Sequence, residues 1–135
     1  MAPPDQVVFD TSALLALLDA DDEFHTSASG VYNRLLEDGS EFWLSAYALV
    51  ETIALAHRRL GFGPVADLMA SLDVRTTVVW VDELLHRSIW TDFAARRGRR
   101  FSFVDCSTLL LARSLDVAIF TFDSDFSLEG VPVVP

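Results

Sequence analysis

The sequence predicts an α/β fold, a mostly parallel sheet covered by helices on both faces, and two observations carry that expectation. Short runs rich in β-branched and aromatic residues, QVVF, EFWLS, TTVVWV, VAIFTF and VPVV, recur along the chain, and between them apolar residues return at helical spacing. The length of 135 residues, 51% of them hydrophobic, fits one compact domain over 1–135 with a single core.

The elements follow in order. QVVF is a buried strand that ends at Asp10, and TSALLALLD continues at once as a short helix with Thr11 or Ser12 as its cap. Phe24 to Leu36 sets Ala28, Val31, Leu35 and Leu36 on one helical face and stops at Gly39. After the strand EFWLS, Ala46 to Leu60 reads as a helix striped by Leu49, Ile53, Ala56 and Leu60, terminated by GFGP. Val65 to Leu72 is a shorter helix, TTVVWV a strand, and Asp82 to Arg97 a helix capped by Asp82. A last helix from about Asp105 to Leu115 leads to the strand VAIFTF, the turn DSDF and the short strand VPVV.

Charge and composition remove several function classes. The net charge is −10, and all ten basic residues are arginine, so lysine-dependent sites such as the Walker A loop, the kinase fold and Schiff-base enzymes are excluded. The single Cys106 has no intramolecular partner and no Cys/His spacing suits zinc; it reads as a small buried hydrophobe. No apolar run reaches the roughly 20 residues of a membrane span, and the opening MAPPDQ lacks a basic, then apolar, leader pattern. The expectation is a cytoplasmic protein with no membrane partner. An acidic chain is a poor ligand for nucleic acid unless bound metal reverses the local sign.

In open α/β sheets the crevice for ligands lies beyond the carboxyl ends of the strands. Asp10 ends the first strand and Asp123 follows AIFTF, which directs both to that edge. Singly, each acid has an ordinary reading: Asp10 as a helix cap, Glu51 as a solvated helix residue, Asp105 as a first-turn acid, Asp123 and Asp125 as turn formers. Brought together, they repel unless a cation joins them, and an all-oxygen set selects a hard ion, Mg²⁺ or Mn²⁺. Such a cluster suits phosphodiester hydrolysis without a protein nucleophile.

VVFDTSALLALL, SAYALVETIALAHRR and FSFVDCSTLLLARSLDVAIFTFDSDF together resemble the successive motifs of PIN-domain ribonucleases, in particular the VapC-like toxins of toxin–antitoxin pairs. The resemblance implies a three-layer α/β/α sandwich and a Mg²⁺- or Mn²⁺-dependent endoribonuclease. It assigns Asp10, Glu51, Asp105 and Asp123 as catalytic acids, Asp10, Asp105, Asp123 and Asp125 to the metal, and Thr11, with Ser12 behind it, to water or substrate. It further implies an RNA substrate, a cognate antitoxin and a homodimer. A PIN-type RNA-maturation nuclease and a non-catalytic RNA- or protein-binding module are the alternatives. The stretch from Phe62 to Arg100 matches no motif, so substrate choice does not carry over.

Within that stretch RRGRR, with Arg96, Arg97, Arg99 and Arg100, is the one dense basic patch, either a grip for RNA phosphates or an acidic partner, or a solvated helix end. Trp43 and Trp80, in strands, are expected in the core. Tyr47 and Trp90 are placed in core or interface, and His25, His57 and His86 receive no role.

Overall fold

The computed structural model describes residues 4–135; the first three residues of MAPPDQ, the stretch without a leader pattern, lie outside them. Five strands alternate with six helices: β1 Gln6–Phe9, α1 Thr11–Leu18, α2 His25–Glu37, β2 Glu41–Ser45, α3 Ala46–Leu60, α4 Phe62–Arg75, β3 Thr76–Val79, α5 Glu83–Arg96, α6 Phe103–Leu115, β4 Ala118–Phe120 and β5 Val133–Val134, with a 3₁₀ turn over Ser124–Glu129. Every described strand pairing is parallel, in the order β3-β2-β1-β4-β5.

Period-two alternation sorts the strand side chains between two apolar layers. Val7 and Phe9 of β1, Phe42 and Leu44 of β2, and Phe120 of β4 pack with Leu14, Val31, Leu35, Leu49, Leu68 and Leu72. The intervening Val8 and Ile119 pack on the other face with Ile89, Leu109 and Ala112. Helices therefore cover both faces, and the expected three-layer α/β/α arrangement is observed. Phe9 stacks on Phe42 at 4.8 Å between centroids, which anchors the middle of the sheet where β1 meets β2.

Four local expectations change. The cap of α1 is Asp10, whose carboxylate accepts from the Ser12 amide, and neither Thr11 nor Ser12 has that role. Helix α4 is longer than the apolar stripe Val65–Leu72 because the GFGP turn is used twice: Gly61, at φ 85°, ends α3 and starts α4. Helix α6 starts at Phe103 because Ser102 and Asp105 form a reciprocal capping box. Trp80 does not pack in the core and is 72% exposed, since it falls just past Val79, where edge strand β3 stops. Trp43 is half-buried, and its indole N–H donates to Gln6 Oε1 at 2.9 Å. No helix among the described residues is long and apolar enough to cross a membrane.

Candidate active site

The strand order places β1 between β2, which follows it in sequence, and β4, which comes much later. In a parallel sheet such a reversal is where a ligand crevice is expected, here at the carboxyl ends of β1 and β4. Phe9 is paired with Phe120, so the next residues, Asp10 and Thr121, stand side by side at the crevice floor. The Asp10 amide donates to the Phe120 carbonyl at 2.9 Å, fixing the backbone there. Asp10 is only 3% exposed, and its Oδ2 accepts from the Ser12 hydroxyl at 2.6 Å, the Thr121 hydroxyl at 2.8 Å and the Ser12 amide at 3.4 Å. Oδ1 takes none of these bonds. The same hydroxyls hold the opposite loop: Ser12 Oγ accepts from the Phe122 amide at 3.0 Å, and Thr121 Oγ1 from the Asp123 amide at 2.9 Å.

Two helices bring further acids to this floor. Glu51, on the second turn of α3, and Asp105, on the first turn of α6, are half-buried. Asp105 accepts from the Ser102 amide at 2.8 Å. Asp123 and Asp125 follow β4, and Asp123 Oδ1 accepts from the Asp125 amide at 2.9 Å, the turn geometry expected of such acids. Burial pushes the Asp10 carboxyl up to about 6, against its hydroxyl donors and with help from the Asp105 charge. Burial also raises Glu51 and Asp105; Asp105 adds to the first, Asp123 and Asp125 to the second. All five acids are thus linked through Asp105. Thr11 lies beside Glu51 and works against that rise, but the contact falls short of a hydrogen bond: its Oγ1 is buried without a partner.

A family model described as PIN domain matches residues 7–128. The chain belongs to the PIN domain family. Among solved structures, this PIN domain is similar to Mycobacterium tuberculosis VapC20, described as a sarcin-ricin loop cleaving toxin, with 28% identity, a TM-score of 0.82, and 93% of this chain and 95% of that one covered. VapBC-1 from nontypeable Haemophilus influenzae shares the fold at 16% identity and a TM-score of 0.64, covering 96% of both chains. VapBC-5 from M. tuberculosis, of the VapBC family of toxin–antitoxin systems, does so at 18% identity and a TM-score of 0.53, with 97% and 98% covered. No curated protein matches the chain in sequence.

The donor chemistry of this PIN domain fits a hard divalent cation. Its acids are all oxygen donors, Asp10 keeps Oδ1 open, and no arginine pairs with any of the five among the described residues. As placed, no three acidic, histidine or cysteine side chains among the described residues are grouped to hold one ion, so joint ligation requires side-chain movement. Ser12, expected to hold water or substrate, spends its hydroxyl on Asp10 and the Phe122 amide; Thr11 keeps the unpartnered hydroxyl. Arg96 leaves the expected basic grip, because it pairs with Glu129 at 2.6 Å and Asp92 at 3.0 Å and lies over the Phe101 ring at 5.0 Å. Arg97, Arg99 and Arg100 remain exposed. Sequence reading missed Thr121 and Ser102. The first had a signal in its place directly after the strand that pairs with β1, and the second in its spacing of three residues before Asp105.

Proposed function

We propose that the protein is a Mg²⁺- or Mn²⁺-dependent endoribonuclease and the toxin of a toxin–antitoxin pair. The observation that carries the reading is Asp10, a buried carboxylate at the end of β1, steadied by two hydroxyls and one amide and by no cation, with the Asp105 charge acting on it and Glu51 and Asp123 linked to it through Asp105. Acids held at raised pKa without a basic partner cost stability, and a cation from outside removes that cost. Asp10, Asp105 and Asp123 would hold the ion, with Asp125 beside them. When bound, it supplies charge neutralisation at the phosphate and a lower pKa for water.

The chain's own groups supply the rest. Ser12 and Thr121 lock Asp10 to the loop that carries Asp123, so the two strand ends keep one spacing. Glu51, raised by burial, is suited to take a proton from the attacking water at working pH, and the unpartnered Thr11 hydroxyl beside it, buried as placed, would orient that water once the acids rearrange around the ion. Water attacks phosphorus as its proton passes to Glu51, the ester bond to the leaving oxygen breaks, that oxygen takes a proton from solvent, and no covalent enzyme intermediate forms.

Similarity to VapC20, described as a sarcin-ricin loop cleaving toxin, supports an RNA loop as substrate, and similarity to VapBC structures supports an antitoxin partner; the homodimer rests on the motif resemblance alone. The test is incubation of purified protein with sarcin-ricin loop RNA and with an unrelated hairpin, with Mg²⁺ or Mn²⁺ or with chelator, beside Asp10→Asn and Asp105→Asn. Cleavage that needs metal and both acids is expected. Equal behaviour of wild type and variants would sink the catalytic reading.

A further inference from the structure

A cluster of five rings is built on α5 and on the two helices that carry Glu51 and Asp105, and it does not close on itself. Tyr47 stands one helical turn before Glu51 on α3, and Phe103 stands two residues before Asp105 on α6. His86, Trp90 and Phe93 approach from α5 at positions i, i+4 and i+7, one stripe of that helix. Centroid distances to Phe103 are 5.4 Å from His86, 5.6 Å from Phe93, 5.7 Å from Tyr47 and 6.3 Å from Trp90. The Tyr47 hydroxyl is hydrogen-bonded to Nδ1 of His86, which ties α3 to α5. Yet Trp90 is 57% exposed, and His86 is exposed as well.

The basic loop joins this cluster. The Gly98 amide donates to the Phe93 carbonyl at 3.5 Å, and a β-carbon at Gly98 would lie 3.8 Å from Phe93 Cζ, so the loop rests on the rings. Arg97, Arg99 and Arg100 are exposed and make no ion pair among the described residues. From Arg100 the chain runs through Phe101 into Ser102, the cap of the helix that carries Asp105. Open rings and the loop that carries three uncommitted guanidinium groups therefore adjoin at Gly98, and the chain leads from that loop to the cap of the helix that bears Asp105.

We propose that the open face of this cluster, with Trp90 and His86 at its rim, is a base-stacking subsite that seats an unpaired nucleotide of the RNA, while Arg97, Arg99 and Arg100 contact backbone phosphates. The inference rests on the ribonuclease reading and adds how substrate is chosen. In a chain of net charge −10, phosphate needs a local positive path, and this loop supplies one. A flat ring beside cations complements a nucleotide, ring and phosphate together. Bases inside an A-form helix cannot reach such a surface, so the subsite selects loops, bulges and ends.

The test uses the full chain with Trp90→Ala, Trp90→Phe and His86→Ala, and two RNAs, a hairpin cut by wild type and a single-stranded oligonucleotide spanning its loop. Trp90→Ala is expected to raise KM for the hairpin about tenfold, with kcat within about twofold, and Trp90→Phe to restore most of it. His86→Ala should act in the same direction and less. In chelator, the oligonucleotide should quench wild-type tryptophan fluorescence, and Trp90→Phe should lose most of the quench. Unchanged KM and oligonucleotide affinity in Trp90→Ala would overturn the subsite. It is equally overturned if that variant loses only dimerisation or antitoxin binding, which would show a protein covering this face. If wild type cuts no RNA with either metal, the ribonuclease reading falls and the subsite with it; metal-dependent cleavage with a KM indifferent to Trp90 removes the subsite alone.

Discussion

At the carboxyl edge of the sheet, Asp10, Glu51 and Asp105 are all raised in pKa and meet only hydroxyls, amides and one another. Where α5 and α6 meet the 3₁₀ turn, Glu129 instead accepts from Arg96 at 2.6 Å and from Arg113 at 3.3 Å, and Asp92 accepts from the other side of Arg96. The Arg96 guanidinium holds Glu129 below the usual carboxylate range, and Glu129 in turn keeps Arg96 firmly charged. Both places take carboxylates partly out of water. In one the chain provides the counter-charge, and the acids serve to join helix to turn. In the other it provides none, and the fold bears the cost. Uncompensated acids at a strand end favour the cation site proposed above, whereas compensated ones mark architecture.

The largest expected effect separates the two by activity. Asp10→Asn and Asp105→Asn should each lower metal-dependent RNA cleavage by at least about 100-fold, because a positioned ion contributes several kcal/mol to stabilising the transition state. Arg96→Ala should leave kcat per folded molecule unchanged. Timed cleavage of a labelled hairpin decides it, and a loss in Arg96→Ala as deep as that in Asp10→Asn would erase the distinction.

Stability should reverse the ranking. Arg96→Ala strands Asp92 and leaves Glu129 with Arg113 alone, at side-chain exposures of 24% and 15%, and should cost about 2 kcal/mol, less than for a fully buried pair. Denaturant unfolding reads this directly. Asp10→Asn should move the other way in chelator and stabilise the protein by about 2 kcal/mol, since it removes a charge whose burial is costly. Metal at about 100 times its Kd should then stabilise wild type by about 2.7 kcal/mol and the variant by much less. Melting temperatures indifferent to metal in both proteins would count against the acid cluster as a cation site.

The two places also differ in how far they can be read from sequence. Asp10 and Asp123 were legible because short strands fix where a chain emerges from a sheet, and a strand end is a place as well as a pattern. The helical acids Glu51 and Asp105 took their meaning from those two. Thr121, with only a hydroxyl to distinguish it, was not legible until the pairing of Phe9 with Phe120 set it beside Asp10. Arg96 departs from both readings of RRGRR, grip and solvated helix end, for a related reason: within it Arg96 looks like its neighbours, and only the fold brings Glu129, 33 residues later, onto it. Trp80 failed because β-branched neighbours predict a strand but not where an edge strand stops. Local periodicity carried the layers; partners distant in sequence did not show in it.

The smallest expected effects have opposite signs with pH. Asp10 has a folded pKa of about 6 against an ordinary 3.8, so the folded protein holds this proton more tightly than the unfolded chain does. Its contribution is present below about pH 4 and is lost as pH rises to about 6. Glu129 is lowered from 4.5, so its contribution is complete above that value and is lost as pH falls through the folded pKa. In chelator, the advantage of Asp10→Asn over wild type should therefore shrink as pH drops from about 7 to about 4. Glu129→Gln should cost about 1 kcal/mol at about pH 7 and converge on wild type at acid pH. Unfolding free energies measured for the three proteins across this range check both slopes at once. Parallel curves would mean that the two groups of acids do not differ in the way their partners imply, and the contrast between a site and a strut would have to be sought in something other than charge.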